Sequence, residues 1–162
     1  MTNKEVVRTF FASLWTDPAL ARSLATDDVT WITTRSMPIP GNEKTIQHVG
    51  WDAVKNVADS GKKLDVGYIP ETMEHPHQLF LDAEDDHVVY QFTMRCKTRR
   101  GRDYINDYLF LVKLENGKIR RFQEYWDSKQ AFDLLFGKEA DESRPTRSEA
   151  KPSEGRSPSA SE

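Results

Sequence analysis

In the stretch RRFQEYWD, Glu124 stands among Phe122, Tyr125 and Trp126. Burial disfavours the charged form of a carboxyl, so an acid in apolar surroundings either finds a partner or holds a proton. Two readings stay open. In an apolar cavity the carboxyl would titrate near neutrality and could serve as a general acid or base. Paired with an arginine or with backbone donors, it would be structural. His75 and His77 flank Pro76 in the triplet HPH, but a metal site needs a third ligand that the sequence does not nominate, so no metal is expected. Cys96 is the only cysteine, which excludes an internal disulfide and a thiolate cluster and fits a small core residue.

The strands that carry Glu124 and its neighbours follow from alternation. Phe122, Glu124 and Trp126 share one face of the last strand, with Arg121, Gln123 and Tyr125 on the other. One strand earlier, Tyr104, Asn106, Tyr108 and Phe110 oppose Ile105, Asp107, Leu109 and Leu111. A buried carboxylate needs donors, so the face bearing the Asn106 amide and the Tyr108 phenol is expected to meet Glu124. These two side chains would orient a ligand's carbonyl or enol, or would simply satisfy Glu124. Trp31, Trp51, Phe110, Phe122 and Trp126 offer surface for stacking on a flat ligand or for building a core. Trp31 and Trp126 are read as pocket wall, and Phe110 joins them as a candidate substrate contact. Leu109 and Leu111, on the opposite face, are expected to meet a second copy of the chain in a homodimer.

Local signals place the remaining elements. Thr2 and Glu5 form a capping box ahead of Val6, Val7, Phe10, Phe11 and Leu14 at helical spacing. Asp17-Pro18 opens a short second helix carrying Leu20 and Leu24. Val29–Thr34 reads as a strand, followed by a Pro/Gly loop at Pro38–Gly41 and a third helix from Trp51 that stops near Gly61. An irregular piece at Val66–Ile69 precedes strands at Gln78–Leu81, Val88–Cys96, Tyr104–Leu114 and Ile119–Asp127. The last two are joined through Asn116-Gly117, the strongest short hairpin signal. A final helix from Ser128 to Phe136 ends at Gly137. Helices first and long antiparallel strands after give an α+β class, with helices covering one face of a curved sheet around a cavity.

Of the 162 residues, 37% are hydrophobic and 10% aromatic, which suits one globular domain over residues 1–137. From Lys138 the chain is rich in Ser, Glu, Pro and Arg and has no apolar anchor, so residues 138–162 are expected to form a disordered tail that folding does not need. A net charge of −3 gives no reason to expect nucleic acid, and KTRRGR reads as a solvated hairpin tip. No apolar run is long enough for a membrane span, and the polar start lacks a signal core, so the cytoplasm is expected.

The stretch GRDYINDYLFLVKLENGKIRRFQEYWDSKQAF, with the helical start and the Asp-Asp before the first strand, resembles the SnoaL-like branch of the nuclear-transport-factor-2-like (NTF2-like) superfamily. The likeness spans most of Asn3 to Phe136, and its sharp part is the last hairpin. It implies a cone of bent antiparallel sheet packed by helices, usually dimeric through the outer sheet face. The superfamily includes polyketide cyclases, ketosteroid isomerases, limonene epoxide hydrolases and phenazine-biosynthesis A/B proteins. The isomerase acid and tyrosine fall on Thr33 and Phe10, which cannot do their work. The epoxide hydrolase Arg-x-Asp falls near Gln91 and Thr93, or Phe92 and Met94, so that arrangement is absent, while its second Asp falls on Glu124. The phenazine proteins have a Glu at that place too, and their pocket histidine falls near Val57. His48, just before Gly50, lies where such proteins line the pocket mouth; it would pair with Glu124 as acid and base, or be a surface histidine. The resemblance therefore implies a cofactor-free enzyme of secondary metabolism that cyclises, isomerises or dehydrates an apolar, oxygenated polyketide- or terpenoid-like molecule. The alternative is a non-catalytic binding or scaffolding module using the same cavity.

Overall fold

A computed structural model describes residues 1–35, 45–63 and 67–136. The expectations for the Pro38–Gly41 loop, for Val66, for the helix stop at Gly137 and for the tail from Lys138 lie outside these residues. Helices α1 (Asn3–Ser13) and α2 (Pro18–Ser23) come first, then strands β1 (Ala25–Ile32) and β2 (Gln47–Val49) and helix α3 (Trp51–Lys63). A short 3-10 turn at Pro70–Thr72 leads into β3 (Glu74–Ala83), β4 (His87–Lys97), β5 (Asp103–Glu115) and β6 (Lys118–Trp126), and α4 (Ser128–Phe136) follows.

Each boundary has a local cause. The capping box forms as expected: Glu5 N–H donates to Thr2 Oγ1, and Thr2 N–H donates to Glu5 Oε2. Asp17 caps α2 by accepting from Leu20 N–H, with Pro18 in the first turn. At the β5–β6 turn Asn116 and Gly117 take φ of 50° and 73°, the left-handed pair a two-residue hairpin needs, and Glu115 pairs with Lys118 across it. The third helix ends at Lys63, near Gly61 as the sequence suggested, with Gly61 itself inside its last turn. A Cβ on Gly61 would lie 3.1 Å from the Tyr68 ring, so the missing side chain lets Tyr68 pack against the helix.

The six strands form one sheet in the order β2-β1-β6-β5-β4-β3. The sheet is mixed rather than wholly antiparallel. β1 runs parallel to β6, with Trp31 beside Phe122, and this unpredicted pairing brings an early tryptophan to the strand that carries Glu124. β2 was not foreseen either. It pairs antiparallel with β1, so His48 sits opposite Trp31 in a strand rather than in a loop.

The inner face of β5 and β6 alternates as predicted, and that of β4 continues it. Tyr90, Phe92, Tyr108, Phe110, Phe122 and Glu124 are buried, and α1 lays Phe10 and Phe11 across them. Tyr90, Phe92 and Tyr108 stack with ring centroids 4.7 and 5.0 Å apart, a rigid aromatic floor. Cys96 is buried with its thiol pushed up to about 11, as a small core residue would be. Lys97 to Arg102 form the β4–β5 hairpin tip, with Arg99 and Arg100 exposed. The fold is α+β, an open curved sheet with helices against its inner face.

Candidate functional site

The helices and the inner face of the sheet leave between them a cavity of about 1100 Å³, counting its open mouth. Trp31, Tyr108, Phe110, Glu124 and Trp126, all proposed from the sequence, line it. So do Tyr68, which the sequence did not bring forward, and His75, which it weighed only as a metal ligand.

Glu124 is 4% exposed and sits opposite Phe110 in the β5–β6 ladder. Its Oε2 accepts a hydrogen bond from Trp31 Nε1–H at 3.1 Å, a contact the parallel β1–β6 pairing makes possible. Neither an arginine nor a backbone donor approaches it among the described residues, so the pair that would have made it structural does not form. Burial pushes its pKa up to about 7, with the Trp31 N–H pulling the other way. A second indole lies on the same strand: Trp126 Nε1 is buried and has no acceptor.

The expected donors do not serve Glu124. Asn106 is buried, but its amide donates to Tyr104 OH at 3.0 Å and to the Asp127 carbonyl at 3.2 Å, and its Oδ1 accepts from Asp107 N–H at 2.9 Å. It does not line the cavity. It does not satisfy Glu124, as one of its two expected roles required; its hydrogen bonds tie the β5–α4 corner instead. Tyr108 OH lies 2.7 Å from Tyr104 OH, and the Tyr68 hydroxyl joins both. Burial pushes Tyr68 up to about 12, and Tyr104 and Tyr108 also well above their ordinary value, so these phenols stay protonated donors at neutral pH.

His48 is a correction on two counts. It is 2% exposed, not a surface residue, and its ring Nε2 lies 3.4 Å from Thr33 Oγ1 rather than beside Glu124. It is not part of the cavity wall. Pairing with β1 buried it, a consequence of a three-residue strand too short to leave a pattern in the sequence. Trp51 and Phe122 belong to the core or its margin, and Trp31, Phe110 and Trp126 to the wall. Among the described residues no group of three His, Cys, Asp or Glu side chains is placed to hold a metal, and no helix is long and apolar enough to cross a membrane.

No family model matches the chain. No curated protein matches it either. Solved structures do. An NTF2-like protein of unknown function from Burkholderia pseudomallei K96243 superposes with a TM-score of 0.69 at 20% identity, over 84% of this chain and 99% of that one. TerC, co-crystallised with polyporic acid, gives 0.68 at 19% identity over 82% and 97%. A candidate polyketide cyclase from Pseudomonas putida KT2440 gives 0.63 at 14% identity over 83% and 98%. The neighbours are thus covered almost end to end by helices and strands in the same arrangement, and the chain has the NTF2-like fold that its last hairpin suggested.

Proposed function

We propose that the cavity takes an apolar, oxygenated small molecule of polyketide or terpenoid type and that Glu124 moves a proton on it, in a cyclisation, isomerisation or dehydration. The observation that carries this reading is the Glu124 carboxyl itself. It is buried, titrates near 7, is anchored through one oxygen by Trp31, and keeps its other oxygen without a protein partner among the described residues. At neutral pH such a group is present as both acid and base, the condition under which proton transfer in either direction is fastest. As base, the free oxygen takes a proton from the carbon beside a ligand carbonyl. The C–H electron pair moves toward the carbonyl oxygen as an enolate, and the proton returns to a second position. The protonated phenols of Tyr68 and Tyr108 are the donors available in the wall for that oxygen. The mostly aromatic and aliphatic lining suits an apolar ligand body. Two fold neighbours point the same way: one is a candidate polyketide cyclase, and the other was crystallised with polyporic acid.

Exchange of the α-protons of 2-tetralone in deuterium oxide, followed by proton NMR, tests this. The protein should accelerate exchange, and Glu124→Gln should lose about a hundredfold of that rate, the scale of an acid–base group. Binding of the ketone without acceleration in either protein would favour the carrier reading.

We also propose that the chain forms a homodimer through the outer face of the sheet. The register aligns Leu79, Gln91, Leu109 and Tyr125 in one row and Leu81, Val89, Leu111 and Gln123 in the next. Leu79, Leu81 and Tyr125 are 47%, 49% and 48% exposed, a continuous apolar patch of the kind a partner covers. Sedimentation should give a dimer at micromolar concentration, and Leu109→Lys with Leu111→Lys should give a folded monomer. A monomeric parent protein would end this proposal.

A further inference from the structure

His75 reaches the cavity by a break in the pattern of its strand. Along β3, His77 pairs with Thr93, Gln78 with Phe92 and Phe80 with Tyr90, so Gln78 and Phe80 face inward, and the Tyr90 hydroxyl donates to Gln78 Oε1 at 3.2 Å. Strict alternation from Gln78 would turn Pro76 inward and His75 outward. The ladder does not continue so. Two residues on β3, His75 and Pro76, lie between Glu74 and His77, whereas one on β4, Met94, lies between their partners Arg95 and Thr93. One extra residue is therefore inserted at His75-Pro76, a β-bulge on the edge strand, the place where a proline's missing N–H is tolerated. The bulge turns His75 inward. Its ring meets Phe92 edge-on with centroids 5.2 Å apart and forms part of the cavity wall, half-buried, while its nitrogens have no protein partner among the described residues.

Burial holds this imidazole below its ordinary pKa, so it is neutral at pH 7 and offers one donor and one acceptor nitrogen. Its strand lies three positions from that of Glu124 in the sheet, roughly 14 Å between backbones at ordinary strand spacing. Between them runs the aromatic floor of Phe92, Tyr108 and Phe110.

We propose that His75 is the second polar anchor of the cavity, hydrogen-bonding a hydroxyl or carbonyl at the end of the ligand remote from Glu124. The ligand class is then narrower than an oxygenated apolar molecule. It is an elongated, flat, mostly apolar one with an oxygen function at each end. This rests on the reading of the cavity as a ligand site with Glu124 at its working end. His75 is assigned as a binding and positioning residue, not as the group that moves the proton.

The test uses the full chain and two probes that differ in one group, 4-hydroxybiphenyl and 4,4′-dihydroxybiphenyl, with affinities measured by fluorescence or calorimetry. The dihydroxy compound should bind about fivefold more tightly than its symmetry alone accounts for, the scale of one neutral hydrogen bond. His75→Leu should erase that advantage, read as the ratio of the two affinities within each protein so that any general change in the cavity wall cancels, and His75→Gln, which restores a donor and an acceptor, should recover part of it. An advantage that survives in His75→Leu overturns the assignment. So does a parent protein that binds 4-hydroxybiphenyl in a Glu124-dependent way but gains nothing from the second hydroxyl, an outcome that leaves the Glu124 reading standing. If neither probe binds the parent protein, the ligand-site reading falls and His75 falls with it.

Discussion

Asn106 and Glu124 are both buried polar residues on the inner face of the same sheet, on adjacent strands, and their surroundings could hardly differ more. Asn106 uses its amide nitrogen twice and its oxygen once, all within the protein, and ties β5 to the entrance of α4. Glu124 has one neutral donor, Trp31, for a group that needs several when charged. Two residues on, Trp126 has a buried donor with no acceptor. Saturated polar groups hold a fold together; a cluster of unsaturated ones is retained at a cost in stability, the contrast on which the proposed site rests.

The largest effect that would sharpen this contrast is in the pH dependence of stability. The Glu124 carboxyl is raised from 4.5 to about 7 in the folded protein. Between these values the folded state keeps a proton that the unfolded chain has released, so stability conferred by the neutral acid is complete below pH 4.5 and is lost as pH rises through 7. The whole span corresponds to about 3 kcal/mol. Buried His48 and half-buried His75 are lowered instead and contribute the opposite slope, losing stability as the pH falls below 6.5. Comparison of parent and Glu124→Gln isolates the acid, since both histidines are common to the two. The variant should match the parent near pH 5 and exceed it by on the order of 2–3 kcal/mol at pH 8 in denaturant titrations. Equal slopes would mean the carboxyl is solvated or paired.

Next in size is Asn106→Leu. It removes the amide oxygen that accepts from Asp107 N–H and one of the hydrogen bonds to the Asp127 carbonyl and to the Tyr104 hydroxyl, which keep Ala131 N–H and Tyr108 OH, and should cost about 1–3 kcal/mol at every pH, with tetralone exchange retained per folded molecule. Loss of exchange in a stable Asn106→Leu protein would erase the distinction between the two residues. The smallest effect is expected for Trp126→Phe. Removing a donor that has no partner should leave stability within about 1 kcal/mol of the parent, with the lost indole surface offset by the relieved N–H. A fall of more than about 2 kcal/mol would show that the indole N–H is satisfied in solution.

How much of this was legible beforehand follows from the range over which each cause acts. The capping box, the Asp17 cap and the Asn116-Gly117 turn are set by residues within four positions of each other, and they appear as read. Alternation along β5 and β6 fixed the faces, so Glu124, Tyr108, Phe110 and Trp126 were all assigned to the cavity side. What alternation cannot give is the partner strand. The Trp31–Glu124 bond depends on a parallel pairing across 93 positions, and the burial of His48 on a strand of three residues. His75 was weighed only as a metal ligand for a related reason: its direction is decided by a mismatch in residue count between β3 and β4, visible only once the two are in register. Gly61 marks the approach of the helix end, a local signal, whereas the Tyr68 ring that packs against it arrives from a later segment.

The bulge at Pro76 has one more consequence, for the way this sheet can and cannot grow. An open sheet has two rims, and a regular rim is a template on which another chain's strand can be added without limit. Here one rim is β2, three residues long, and the other is β3, whose ladder is interrupted by an extra residue and by an imino acid with no proton to share. Neither end offers a long, even row of backbone groups. The same kink that aims an imidazole into the cavity thus discourages fibrous stacking at the rim, and leaves the outer face of the sheet as the surface on which the proposed dimer would form.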